Sequence, residues 1–420
     1  KVKFTFGCSE LTDKKLEAFK ELGEDLPLRR QVKQALKAFD YHSVLYVGET
    51  DNLLKRTKEH LGMSDVGKRL LSATGDEPDG WSRLGMPMQV VVLAGGVGSR
   101  LRPWTKAIPK PLLPMLDLTL LERVVEAVPT HMVDEVIVAG GYKVDLIESY
   151  FKSKDIDFDV RIVPEDEPLG TGGALGNCRD VVSGTFACFN GDIVSSLQIE
   201  PMLELHRKNG GIGTLALWEV EDPTRFGIVG VDEHQKINRF LEKPKPEQVF
   251  SNLINAGSYI FEDDVFDWMP QGRHSIERDV FPKLAEDQLL NGLPFEGYFI
   301  DAGTPDAWMD GVQRCILEGR FQRGKIEGTT WYADGQSSPA ATVSDSMIEQ
   351  NVRLDACTIE RTTLLSGTTV GPQAHLKNSL VGRNAIIGSD VVLDGVVVDH
   401  DSTVPAGTKQ TGGQWPNIES

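Results

Sequence analysis

The chain has 420 residues, enough for two or three domains, each with its own core. Its 62 acidic side chains outweigh 44 basic ones, leaving a formal net charge of −18. That balance argues against a general nucleic-acid or membrane-surface binder, which needs a basic face. An anionic substrate would therefore have to meet a local cluster of cations. Charged residues at 25% and hydrophobic residues at 40% are ordinary globular values. Five cysteines lie scattered with no Cys-x-x-Cys pair. Neither a disulfide framework nor a zinc site is expected; the cysteines read as reduced, mostly buried thiols of a cytoplasmic protein. No apolar run approaches the ~18 residues of a membrane span, and no signal peptide is visible.

Residues 1–73 read as a small α+β appendage. Helical periodicity covers 13–22 and 28–39. A short strand at 44–47 runs through a turn into a cationic helix with Lys55, Arg56, Lys58 and His60. Tyr46-Val47-Gly48 and Arg56 resemble the second half of a GIY-YIG nuclease module. That family's first Gly-Ile-Tyr strand does not occur at the expected distance upstream, so nuclease activity is not expected. Residues 74–87, TGDEPDGWSRLGMP, are rich in Gly, Pro and Asp and read as a linker. The chain opens at Lys1, and Met88 stands where the next domain would naturally begin.

A buried strand is expected at 90–93, followed by a turn with Gly95, Gly96 and Gly98. Arg100, Arg102, Lys106 and Lys110 follow, spaced among prolines. Backbone N–H groups at such a turn can cradle an anion, and the cations supply compensating charge. Beyond it strands and helices alternate: helix 120–128, strand 135–139, helix 144–151, strand 160–163 and strand 186–190. Such alternation predicts an α/β domain over 88–320, with a mostly parallel, Rossmann-like sheet. Ligands of these sheets sit at the carboxyl ends of the strands.

A second glycine-rich loop, EDEPLGTGGALG at 165–176, leads into a helix that Thr171 could also cap. Asp192, in FNGDIV, follows an apolar strand and reads as a Mg²⁺ ligand, since magnesium favours one or two carboxylates completed by phosphates and water. Asp301, in YFIDAGTPDAW, has the same setting far downstream. Between them come a strand at 214–220 and the strings EDPTRFGIVGVD, FLEKP and NLINAGSYIF. The string SIERDVFPKLA from Ser275 reads as a packing helix.

After residue 320 the pattern changes. Apolar residues recur at every sixth position in Leu380, Ile386, Val392, Val398 and Val404, with an earlier run of Val352, Leu364, Val370 and Leu376 in another phase. Gly371, Gly382 and Gly388 are expected at corners. The hexad period predicts a short β-helix over 340–408, interrupted by an insertion of a few residues between the runs, and then a tail over 409–420. With His375 and His400 isolated, a structural or oligomerising role is expected of it rather than a second active site.

The stretch LAGGVGSRLRPWTKAIPKPLLP, from Leu93 to Pro114, resembles the signature of the sugar-1-phosphate nucleotidyltransferases. Trp104 stands where that family usually has leucine, a change expected to be harmless. PLGTGGAL resembles the family's PLGTAGAL, and the hexads resemble its left-handed β-helix domain. The resemblance implies nucleotide binding by Leu93, Ala94, Gly95, Gly96, Gly98, Ser99, Glu165, Gly170 and Thr171. It implies Arg100 and Lys110 on the triphosphate, Mg²⁺ on Asp192 and Asp301 jointly, and a hexose 1-phosphate against Gly227, Glu242, Lys243, Asn255 and Gly257. The strings of the sugar half are most similar to the mannose-1-phosphate guanylyltransferases, which favours GTP and mannose 1-phosphate. Uridylyl- and thymidylyltransferases acting on glucose 1-phosphate share most of the motifs. Non-catalytic regulatory homologues tend to lose the cations or aspartates that are all present here. A homo-oligomer is expected.

Overall fold

A computed structural model describes residues 2–5, 47–50, 87–154, 156 and 158–416. Two short strands, Val2–Thr5 and Val47–Thr50, pair antiparallel. The expected helices at 13–22 and 28–39, the nuclease-like Tyr46 and Arg56, and the linker up to residue 86 lie outside the described residues. These fall into two compact units. One holds the strand pair with 87–90, 128–136 and 156–160; the other, over 91–127, 137–154 and 161–416, carries the crevice and coils described below.

The expected α/β domain is present, built on a parallel sheet core. Its strands lie in the order Ile237–Glu242, Gly227–Val231, Leu253–Phe261, Phe186–Asn190, Met88–Leu93, Val133–Gly140 and Asp159–Pro164. Val90, Val91 and Val92 are all fully buried, as a strand covered on both faces requires. The half built from later strands departs from the parallel pattern. Leu253–Phe261 runs antiparallel to both Phe186–Asn190 and Gly213–Glu219, and Gly227–Val231 to Ile237–Glu242. Phe186, Tyr259, Phe261 and Phe281 pack in the core behind the sheet. The helix expected at 120–128 is shorter, Leu120–Val125, and begins on a Thr119–Glu122 capping box.

One pairing positions the site. The Gly191 N–H donates to the Leu93 carbonyl at 2.9 Å. The carboxyl ends of two neighbouring strands therefore lie side by side, with the glycine turn leaving one and Asp192 leaving the other.

From Thr330 onward the chain winds into coils stacked as three ladders of parallel strands. The β-helix is longer than expected at both ends. Its parallel ladders start at Thr330–Tyr332 rather than 340, with Lys325–Glu327 added antiparallel at that edge, and the expected tail supplies two more strands, Lys409–Thr411 and Gln414–Trp415. The apolar row also needs correction. Ile386 and Val392 face outward, 51% and 38% exposed, while Ile387 and Leu393 point inward. Equivalent residues of successive coils are 16 apart in the first coils, as in Thr342–Thr358, and 17 apart in the later ones, as in Ile386–Thr403. Each coil is one or two residues short of three hexads, so a fixed count of six drifts out of phase. That drift, not an insertion, separates the two runs. Left-handed conformations in the coils fall to Asn378, Asn384, Asp390 and Asp401, which tolerate them, to glycines such as Gly367 and Gly395, and also to Arg361 and Gln373. Gly371, Gly382 and Gly388 open corners directly after their strands, as expected, where the backbone of the next coil approaches most closely.

Coils and α/β domain share a core. Leu101, Trp104, Leu113 and Met115 pack with Trp331, Met347, Leu380 and Val397. Trp104 is therefore not a neutral replacement for leucine: it is fully buried, and its indole Nε1 donates to the Val398 carbonyl at 2.9 Å. Among the described residues no helix is long and apolar enough to cross a membrane.

Candidate active site

A cavity of about 410 Å³ opens at the strand ends. Of the expected site residues, Leu93, Ala94, Gly95, Gly96, Lys110, Glu165, Gly170, Thr171 and Asp192 line it. Among the described residues, none accepts a hydrogen bond from the backbone N–H of Gly95 or Gly96. The turn closes at Gly98, whose φ of +62° suits glycine; its carbonyl accepts from Leu101 N–H at 3.0 Å and from the Thr105 hydroxyl at 2.9 Å. Gly98, Ser99 and Arg100 do not line the cavity.

Asp192 and Asp301 meet through strand pairing. Ile193–Ser195 runs antiparallel to Phe299–Asp301, with Asp301 opposite Ile193, and the Ala302 N–H donates to the Asp192 carbonyl at 2.9 Å. Lys110 Nζ donates to Asp192 Oδ2 at 2.8 Å. Asp301 Oδ1 is buried without a hydrogen-bond partner. Burial first, and then the Asp192 carboxylate, push the Asp301 carboxyl above its ordinary range, against the pull of Lys110 and Arg100. A Cβ added to Gly303 would collide with the Arg100 guanidinium and lie 2.8 Å from Asp301 Oδ1, so these two side chains share that corner.

This arrangement fits a divalent cation. Two carboxylates converge, and one keeps a buried oxygen without a donor. Among the described residues no cluster of three or more Asp, Glu, His or Cys side chains forms. A cation here would complete its shell with water and phosphate oxygens, which is magnesium's preference rather than zinc's.

The second glycine loop forms the helix Gly170–Gly176. Thr171 does not cap it. Its hydroxyl donates to Glu277 Oε2 at 2.6 Å and accepts from Ile276 N–H at 3.2 Å. Glu277 thus corrects the reading of SIERDVFPKLA as packing alone: Ile276, Val280 and Phe281 are core, while Glu277 faces the loop. Glu165 uses Oε2 to accept from Leu169 N–H at 3.0 Å. Its Oε1 is buried and unpartnered, 2.8 Å from where a Cβ on Gly95 would lie.

The five expected sugar residues stand outside the cavity, on neighbouring strands. Gly227 pairs with Glu242 across the ladder, and Lys243 Nζ lies 3.5 Å from Glu242 Oε1. Burial, and then the Glu277 carboxylate, raise the Glu242 carboxyl above its usual range. Asn255 Nδ2 donates to the Tyr259 hydroxyl at 2.9 Å. Gly257, with φ +68°, comes so close to Asn190 that a Cβ would lie 2.5 Å from its Nδ2. Asn190 lines the cavity, as does Arg273; neither is singled out by the sequence. Asn190 lies within FNGDIV, so the motif points to it. Arg273 stands alone before His274, with no pattern to mark it.

Comparison with known proteins identifies the family. The nucleotidyl transferase family model matches residues 89–316, more than half the chain. A model of the GlmU-like C-terminal hexapeptide matches 331–412. The chain is 31% identical over 346 residues to mannose-1-phosphate guanylyltransferase 1 of Arabidopsis thaliana, covering 79% of this chain and 90% of that protein. It is 34% identical over 325 residues to the mannose-1-phosphate guanylyltransferase of Mycobacterium tuberculosis, covering 76% and 82%. A Xenopus tropicalis protein, the mannose-1-phosphate guanylyltransferase catalytic subunit beta, is 32% identical over 333 residues, covering 74% and 90%.

Proposed function

The chain belongs to the sugar-1-phosphate nucleotidyltransferases of the nucleotidyl transferase family, and from that premise we propose that it joins GTP and mannose 1-phosphate into GDP-mannose, releasing pyrophosphate, with Mg²⁺ as cofactor. One observation carries the reading: Lys110, Asp192 and Asp301 converge beside a glycine turn with free amides.

The phosphate of the sugar 1-phosphate attacks the α-phosphorus of the triphosphate. A new P–O bond forms as the bond to the β-phosphate breaks. The attacking oxygen is already ionised, so no general base is required, and among the described residues no histidine lines the cavity. Catalysis then rests on alignment and charge stabilisation. The amides of Gly95 and Gly96, with Arg100, hold the triphosphate, and Lys110 steadies the α-phosphate. Lys243 orients the attacking phosphate, while Glu242 and Asn255 read sugar hydroxyls against Gly227 and Gly257. Asp192 and Asp301 would hold Mg²⁺, which when bound neutralises charge on phosphate oxygens.

Base choice is supported by Glu165. Guanine offers donors at N1 and N2 along one edge, and the unpartnered Glu165 Oε1 is an acceptor aimed into this region. The relatives' activity supports the same choice. A cytoplasmic homo-oligomer belongs to the proposal, with the outward Ile386 and Val392 as candidate contact residues on the coils.

The test is pyrophosphate release with Mg²⁺, each common nucleoside triphosphate and each common hexose 1-phosphate. Turnover best with GTP and mannose 1-phosphate is expected. A different best pair, such as UTP with glucose 1-phosphate, would overturn the substrate choice. No release from any pair would overturn the transferase reading.

A further inference from the structure

One coil of the β-helix grips the chain just beyond the glycine turn. Trp104 opens the short helix Trp104–Ala107, which follows the 3₁₀ turn Ser99–Leu101. Its indole donates to the Val398 carbonyl, and its ring stacks on His400 with centroids 6.0 Å apart and planes 26° apart. His400 Nδ1 accepts from the Arg383 N–H at 2.9 Å, which leaves the ring proton on Nε2, 3.4 Å from the Trp104 carbonyl. Burial holds the His400 ring below its usual pKa, favouring the neutral tautomer that both contacts require. Residue 104 is thus fastened to the coil by its side chain and by its backbone.

The contact continues into the site. Thr105 is buried, and its hydroxyl donates to the Gly98 carbonyl. A Cβ on Gly98 would lie 2.8 Å from Thr105 Cγ2 and 3.3 Å from Lys110 Cβ. His400, Trp104, Thr105, Gly98 and Lys110 form one contiguous packed series. Lys110 ends it, on Asp192. Close-packed series of this kind transmit small displacements.

We propose that Trp104 and His400 are positioning residues: the β-helix holds the glycine turn and Lys110 in the geometry that grips a nucleoside triphosphate. What the turn grips rests on the nucleotidyl-transfer reading. The coil is then a working part of the site, and its loss is felt on the nucleotide side rather than on the sugar side.

The experiment uses the full chain and the variants His400→Ala, His400→Gln and Trp104→Phe. His375→Ala, at an exposed position on the same β-helix, is the control. GTP affinity with magnesium is read by titration calorimetry, each KM by pyrophosphate release, and folding by thermal denaturation. His400→Ala is expected to weaken GTP binding about tenfold, the scale of one lost hydrogen bond with its packing. The KM for mannose 1-phosphate should stay within about twofold. Glutamine can accept from Arg383 and donate to Trp104, so His400→Gln should recover most of the affinity. Trp104→Phe keeps an aromatic ring but loses the indole hydrogen bond to the Val398 carbonyl, which still accepts from the Gly382 N–H at 3.0 Å, and should lie between the two. His375→Ala should change nothing. Unchanged GTP affinity in His400→Ala would overturn the proposal. So would an equal loss for both substrates in step with the thermal midpoint, the pattern of a merely structural contact. If the unsubstituted protein binds GTP but releases no pyrophosphate, the transferase reading falls and the affinity comparison still decides this one. If it binds no nucleoside triphosphate, both fall.

Discussion

Replacing Lys110 by methionine removes one charge from the crevice while keeping the length and apolar stem of the side chain. The ammonium lies 2.8 Å from Asp192 Oδ2, with side chains 10% and 32% exposed. It is also one of two cations, with Arg100, that favour the ionised form of Asp301. Two effects follow from its loss. The charge-assisted contact to the triphosphate that the proposed reaction assigns to Lys110 disappears, and two neighbouring carboxylates lose part of their counterbalance. A contact of this kind contributes about 1.5–3 kcal/mol. Lost from the transition state, it lowers kcat/KM by about ten- to a hundredfold. Because Lys110 also fastens Asp192, the pair is coupled: Lys110→Met with Asp192→Asn should fall short of the product of the single losses. The assay is steady-state pyrophosphate release with GTP and mannose 1-phosphate varied in turn, run beside thermal denaturation of each variant. A Lys110→Met protein turning over within about twofold of the parent would remove this lysine from the mechanism. Strictly multiplicative single and double losses would refute the coupling.

Asp301 and Glu165 give two more tests. The Asp301 carboxyl has a raised pKa, so between the unfolded and folded values the native state binds more protons, and stability falls as pH rises through that window. Asp301→Asn should therefore raise the denaturant midpoint at neutral pH, lose that gain below the ordinary carboxylate range, and abolish turnover; an equal midpoint shift at every pH would contradict the burial argument. Since the ionised form is the one that can hold a cation, the acid limb of the parent's rate profile should lie above the ordinary aspartate range. Glu165→Gln leaves one carbonyl oxygen to serve both Leu169 N–H and the base. The preference for GTP over ATP and UTP in competitive turnover should drop about ten- to a hundredfold, and an unchanged preference would take Glu165 out of base recognition.

Where one contiguous stretch carries both the residue types and the backbone pattern, its place in the fold is legible without a structure. The apolar run into Gly95 and Gly96, the cations after it and the carboxylate after Phe186–Asn190 are all of this kind, because strand period and turn chemistry act over a few residues. The two coil phases misled for a physical reason: coils of 16 and 17 residues break a six-residue count, so only the stacked ladders show that Ile387, not Ile386, is inside. Contacts between distant segments belong to tertiary structure alone. The meeting of Asp192 with Asp301 depends on a strand pair closed across more than a hundred residues. Glu277 reaching Thr171, and His400 reaching Trp104, depend on how whole elements pack. No local propensity encodes such encounters; burial of the shared cores decides them.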